Sequence, residues 1–201
     1  MRRENTAQAK VLIEVSGQSV AKDMALVIGF AGFIGVFAQI SVHLPFTPVP
    51  ITGQTFAVLL GASVLGPLRS LAGSLFYLAF GLLGVPWFAG GTGGVGVAAA
   101  PSFGYLIGFV VAGTVVGYLA QLGFDKSALG SIGEMVIGNL VIYSFGLTWL
   151  VFSLHVNFTK AVMLGARPFL IGDLLKIILA SALLPAAWKL VGRMNRHDST
   201  N

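Results

Sequence analysis

From residue 24 onward the chain alternates long apolar runs with short breaks rich in glycine, proline or charge. A helix that crosses a membrane needs about 20 mostly apolar residues. Met24 to Val42 predicts a first span, which HLPFTPVPITGQ ends with three prolines. Thr52 to Gly66 is apolar but short, and predicts a tilted, kinked or partly submerged second span. Leu68 to Val85 follows, with Pro67 suited to a first helical turn. Ser102 to Leu122, Ser131 to Phe152 and Phe169 to Val191 complete the set. The pattern therefore predicts an all-α integral membrane protein, a six-transmembrane-helix bundle over residues 24–192. Polar, basic tails cover 1–23 and 193–201. The first is expected to carry a short amphipathic helix around Val11 to Val15. Arg2 and Arg3 are not closely followed by the apolar run and cleavage site of a signal peptide.

Composition strengthens this reading. Of 201 residues, 56% are hydrophobic and 9% charged, with a mean hydropathy of +0.89. Soluble domains carry about 25% charged residues, so this chain lacks the polar surface to face water all round. The net charge of +5 would suggest nucleic acid in a soluble protein. Here the basic residues flank apolar runs, and topology explains them better. With six spans, Arg2, Arg3, Lys10, Lys22, Arg69, Lys126, Lys189, Arg193 and Arg196 share one side. Lys160, Arg167 and Lys176 fall on or toward the other. The positive-inside rule then predicts both termini in the cytoplasm. The long irregular connections, Val42 to Gln54, Pro86 to Pro101 and Ser153 to Pro168, gather outside, where a site would open. The cytoplasmic turns are short and plain. Absence of cysteine excludes disulfides and thiolate chemistry.

Gly91-Thr92-Gly93-Gly94-Val95-Gly96 spells G-x-G-x-x-G. A dinucleotide site needs a strand before that turn, a helix after it, and an acidic residue about 20 positions on. This one follows PWFAG, and the next acidic residue is Asp125, across the membrane. The motif is either a flexible connector or a compact loop at the mouth of the bundle, whose glycines let backbone approach a ligand. Trp87 and Phe88 could wall an apolar pocket or anchor at the interface.

Asp173 and Lys176, at i and i+3, share a helix face at the outer end of the last span. Charges inside a membrane are costly and mark a cavity or site by default; the alternative is an ion pair that only lowers its own burial cost. Glu134 is expected to snorkel from the cytoplasmic end of the fifth span. Asn139 is expected to hydrogen-bond between helices. Gln54, Thr52 and Tyr105 offer polar groups at outer span ends. His43 and His155 lack the spacing or third ligand of a metal site. Ala25, Gly29, Gly32, Gly35 and Ala38 form a small-residue stripe on the first span, suited to docking a partner or to packing within the bundle. The chain lacks a G-x-S-x-G elbow and an H-E-x-x-H motif, and no histidine falls in a span, so an intramembrane enzyme is disfavoured.

PVPITGQTFAVLLGA, LAFGLLGVPWFAGGTGGVGV, APSFGYLIGF and PFLIGDLLKIILA, in that order, resemble the BioY family of biotin transporters. Members are S components of energy-coupling factor transporters. The resemblance runs from about Met24 to Leu190. It implies a multi-pass protein of the cell membrane that captures biotin from outside with high affinity. A transmembrane coupling subunit and two ATPase subunits would be its partners, with toppling of the S component during release. The family's Asp-x-x-Lys pair matches Asp173 and Lys176. Its glycine-rich loop matches Ala89 to Val97, and so implies that Gly91, Thr92 and Gly93 close over the ligand. Trp87, Phe88 and Tyr105 would be pocket aromatics. Some relatives place an Asn and an Arg around this loop; neither occurs here between Pro86 and Tyr105. Arg167 or loop amides would then meet the biotin carboxylate. Ala31-Gly32-Phe33-Ile34-Gly35 only approximates the family's Ala-x-x-x-Ala docking motif. A solitary biotin transporter, or an S component for another vitamin, are the alternatives.

Overall fold

Side-chain caps set the starts of three helices and a proline that of a fourth. In the computed structural model, which describes residues 11–12 and 19–198, Ser19 Oγ accepts from Lys22 N at 3.2 Å and opens α1 (Val20–Gln39). Ser127 caps α5 (Ala128–Leu154) through Gly130 N, and Asn157 caps α6 (Phe158–Gly165) through Lys160 N at 2.9 Å. Each satisfies an amide that the first helical turn leaves unpaired. Pro67 begins α3 (Pro67–Leu82) directly after α2 (Gln54–Leu65). The remaining helices are α4 (Phe103–Gln121) and α7 (Leu170–Asp198). The helix proposed around Val11 to Val15 falls mostly outside the described residues.

Among the described residues, four stretches are long and apolar enough to cross a membrane: α1, α4, α5 and the α6–α7 stretch Phe158–Leu190. Large apolar side chains such as Leu68, Leu83, Leu129 and Ile171 point outward, a surface suited to hydrocarbon. Helix α2, at 12 residues, is about 18 Å long, against a hydrocarbon core of about 30 Å. Its first residue, Gln54, is buried, so the helix begins within the bundle.

Helix α4 sits centrally, against α2, α3 and α5, while α1 leans on α3 and α7 on α5. Close approach is built on missing side chains. A Cβ at Gly117 would lie 2.5 Å from the Gly66 carbonyl carbon, and one at Gly108 would lie 3.0 Å from Ile142 Cα. Backbone cannot yield as a side chain can, so these helices touch only because both positions are glycine. Ser70 Oγ donates to Gly113 O at 2.9 Å, fastening α3 to α4. At the same end Arg69 pairs with Asp23 at 2.8 Å, joining the starts of α1 and α3.

Three departures from the sequence reading have physical causes. Helix α1 stops at Gln39, because Ser41–Val42 (β1) pairs antiparallel with Ile51–Thr52 (β2) across the proline-rich connection. Connection 153–168 contains α6, too short at eight residues to show a helical period. Glu134 does not snorkel: it is fully buried, and its Oε1 accepts from Ser63 Oγ of α2 at 2.9 Å. Helix α5 begins at Ala128 rather than Ser131, which puts Glu134 almost two turns inside.

The turn between α4 and α5 is not plain either. Asp125 is buried there, its Oδ2 accepting from the Trp188 indole at 2.5 Å while Oδ1 has no partner. Lys126 Nζ lies 4.8 Å from the centre of the Trp188 ring. Burial pushes the Asp125 carboxyl above the usual carboxylate range, although the Trp188 bond and the Lys126 charge act the other way. A raised carboxyl pKa stabilises the fold below the unfolded value of about 3.9, and that stability is lost as pH rises through the folded value. Asp125→Asn keeps an acceptor for Trp188 but cannot ionise. Its melting temperature in detergent is expected to rise relative to wild type as pH goes from 4 to 7. A gap that stays constant with pH would contradict this account.

Candidate functional site

At the end of the bundle where the long connections meet lies an open-mouthed cavity of about 480 Å³, within the range of small-molecule sites. Its walls come from the β1–β2 connection, the glycine-rich loop and the starts of α2, α4 and α7, with the middle of α5. Two bonds brace this end: Thr47 Oγ1 donates to Leu164 O and Tyr105 OH to Gly165 O, each at 2.7 Å.

The charged pair of α7 lies in the wall. Lys176 Nζ donates to Asp173 Oδ1 at 3.1 Å and to Thr55 Oγ1 at 2.7 Å. Tyr143 OH donates to Asp173 Oδ2. Thr55 reaches Lys176 because α2 begins inside the bundle, and Tyr143 faces inward from α5. An ammonium has three N–H donors, so Lys176 keeps one beyond these bonds. The carboxylate likewise retains lone pairs for an incoming N–H. Its side chain is only 8% exposed, against 21% for Lys176. This is a compact donor–acceptor couple in an otherwise mostly apolar chamber.

Gln54, Phe88, Thr92, Gly93 and Tyr105 also line the cavity, whereas Trp87 and Gly91 do not. Trp87 stands behind the wall: its indole donates to Tyr77 O at 3.0 Å, and Tyr77 OH donates to Trp87 O at 3.1 Å. Phe88 packs edge-on against Tyr77, with centroids 5.3 Å apart. Gln54 Nε2 donates to Tyr77 OH at 2.8 Å, so this buried amide holds the aromatic group as well as facing the cavity. The glycine-rich segment is compact. Phe88 bridges to Thr92, and 3₁₀ turns form over Ala89–Gly91 and Val95–Ala99. Gly91 adopts a φ of 68° and turns toward Gln39.

Sequence reasoning missed several groups. Gln39 Nε2 lies within hydrogen-bond distance of Gly35 O, Trp87 O and Phe88 O, clipping the aromatic turn to the end of α1. Thr55, Tyr143 and Asn139 line the cavity. Asn139 does not bridge helices, since its Nδ2 donates to Met135 O of its own turn at 3.1 Å. Arg167 is directed to Met163 Sδ at 3.6 Å and is not part of the lining. The stripe on α1 splits. Ala25 and Gly29 are exposed, Gly32 is half-buried, and nothing lies near the missing Cβ of either glycine. Gly35 and Ala38 are buried, Gly35 beneath Trp87. Helical spacing alone did not show where the stripe turns inward.

Against known proteins the sequence matches the BioY family over residues 5–193. A biotin transporter BioY of Rhizobium etli is 34% identical over 172 residues, spanning 81% of this chain and 90% of that protein. A probable biotin transporter BioY of Pyrococcus horikoshii is 40% identical over 156 residues, 78% of this chain and 90% of its own length. One from Thermotoga maritima is 36% identical over 154 residues, 77% and 88%. Among solved structures, the S component for biotin from an ECF-type ABC transporter superposes with a TM-score of 0.77 and 24% identity. That match covers 86% of this chain and 95% of the other, a likeness of fold. With transporter relatives and four stretches of membrane-crossing length, this is a multi-pass membrane protein. The chain belongs to the BioY family.

Proposed function

We propose that this protein captures biotin in the cavity between the long connections, as the substrate-binding S component of an energy-coupling factor transporter. The observation that carries the proposal is the Asp173–Lys176 couple, braced by Tyr143 and Thr55 in the cavity wall. Biotin combines a ureido group, which both donates and accepts, with an apolar thioether ring and aliphatic chain. Asp173 accepts a ureido N–H, and Lys176 donates to the ureido oxygen. Phe88, Tyr105 and Phe109 offer apolar surface to the rest. The relatives named as biotin transporters support this choice of ligand.

In this reading six spans cross the cell membrane, with both tails, 1–23 and 193–201, in the cytoplasm. The cavity faces outward, in keeping with the distribution of Lys and Arg. Uptake needs energy from elsewhere, because the chain lacks the G-x-x-x-x-G-K-[ST] phosphate cradle. A coupling subunit and two ATPases supply it, and the open face of α1 at Ala25, Gly29 and Gly32 suits close helix contact with the coupling subunit. Calorimetry on the purified protein is expected to show one biotin per chain, with no covalent change to the ligand. Folded, detergent-stable protein that takes up no biotin would overturn the assignment.

A further inference from the structure

The biotin reading leaves one end of the ligand without a partner. Biotin carries a carboxylate on a flexible chain, remote from its ureido group. The ammonium of Lys176 is already balanced by Asp173 at 3.1 Å, so it is a poor sole partner for a second anion. Among the described residues lining the cavity, the other side chain able to carry positive charge is His43. Arg167 does not reach the cavity.

His43 follows β1 and is exposed at the rim. Its Cε1 lies 3.9 Å from the point where a Cβ on Gly90 would stand, so the imidazole faces the glycine-rich loop across the mouth. The neighbouring loop hydroxyl, Thr92 Oγ1, is committed to Ala89 O at 3.1 Å. An imidazole keeps at least one N–H donor in either protonation state, and a carboxylate is acceptor-only when ionised. The ureido couple and the histidine thus offer two chemically distinct ends to one elongated ligand.

On the basis of the biotin reading, we propose that His43 donates a hydrogen bond to the ligand's carboxylate at the cavity mouth and sets a preference for the free acid. An exposed charge-assisted bond is expected to give a preference of about tenfold over an uncharged derivative. The probe is biotinamide, in which the carboxylate is replaced by a neutral primary amide. Calorimetry on the full chain compares wild type, His43→Ala and His43→Gln with both ligands. Wild type is expected to bind biotin about tenfold more tightly than biotinamide. His43→Ala should bind biotinamide within about threefold of wild type, because a neutral amide oxygen is the weaker acceptor, and should lose most of the preference for biotin; an unchanged melting temperature reports an intact fold. His43→Gln, which keeps an N–H donor, should restore part of it. If wild type binds both ligands equally, or His43→Ala keeps the full preference, the role of His43 is overturned while the biotin site stands. If wild type binds neither ligand, the biotin reading itself falls.

Discussion

Lys176→Ala is expected to weaken biotin binding by about thirtyfold or more. The substitution removes the donor to the ureido oxygen and leaves Asp173, nearly buried, with Tyr143 as its remaining protein partner. Truncating one member of a buried, hydrogen-bonded charge pair costs about 2–5 kcal/mol. At 1.4 kcal/mol per decade, that is a loss of roughly thirtyfold to several thousandfold. Part of the cost also falls on the unliganded protein, because an unpaired carboxylate in an apolar wall is itself unfavourable. A lower melting temperature without ligand should therefore accompany the lost affinity. Lys176→Ala with Asp173→Asn separates the two effects: removing both charges should recover stability but not binding. A Lys176→Ala protein that folds and binds within threefold of wild type would reduce the couple to an ion pair that stabilises only itself.

That couple is legible in the sequence, because two opposite charges at i and i+3 within an apolar run are too costly to stand there without a site or a partner. Its supports are not. Thr55 and Tyr143 stand on other helices, and a hydroxyl in a membrane helix ordinarily bonds back to its own turn, as Thr114 and Thr148 do here. Only the early end of α2 brings Thr55 to Lys176. The spans are readable because length and hydropathy are collective signals over about 20 residues. The two-residue strands and eight-residue α6 give no such average, and they arise where the connections pack on one another. Trp87 and Phe88 illustrate the same limit at residue scale. Adjacent in sequence and alike in chemistry, they part because the Trp87 indole is drawn to Tyr77 O behind the wall while Phe88 faces the cavity. Gly91 and Gly93 part in the same way, one toward Gln39 and the other into the lining.

Gly93→Ala is expected to lower biotin affinity by about tenfold or more, with a fall in melting temperature that leaves the spanning helices folded. A Cβ at Gly93 would stand 2.5 Å from Val85 O and 3.0 Å from the Val85 carbonyl carbon. Both are backbone atoms, so no rotamer change relieves the overlap. Nor can that backbone easily retreat. Val85 N is held by Phe80 O at 3.0 Å, and Gly94 N by Gly81 O at 2.7 Å, pinning both sides of the contact to the end of α3. The loop must move instead, taking Thr92 and Gly93 out of the cavity wall and straining the Phe88–Thr92 bridge. The loss falls on binding because the segment lies over the cavity and not between the spanning helices. Gly133→Ala, at a helical position with nothing within 4 Å of the added carbon, should leave affinity within threefold and controls for glycine loss itself. If Gly93→Ala matches wild type in affinity while Lys176→Ala does not, the glycine-rich loop takes no part in binding and GGTGGVGV is only a connector. If both lose binding, the loop that spells a nucleotide motif acts as the closing wall of a vitamin site.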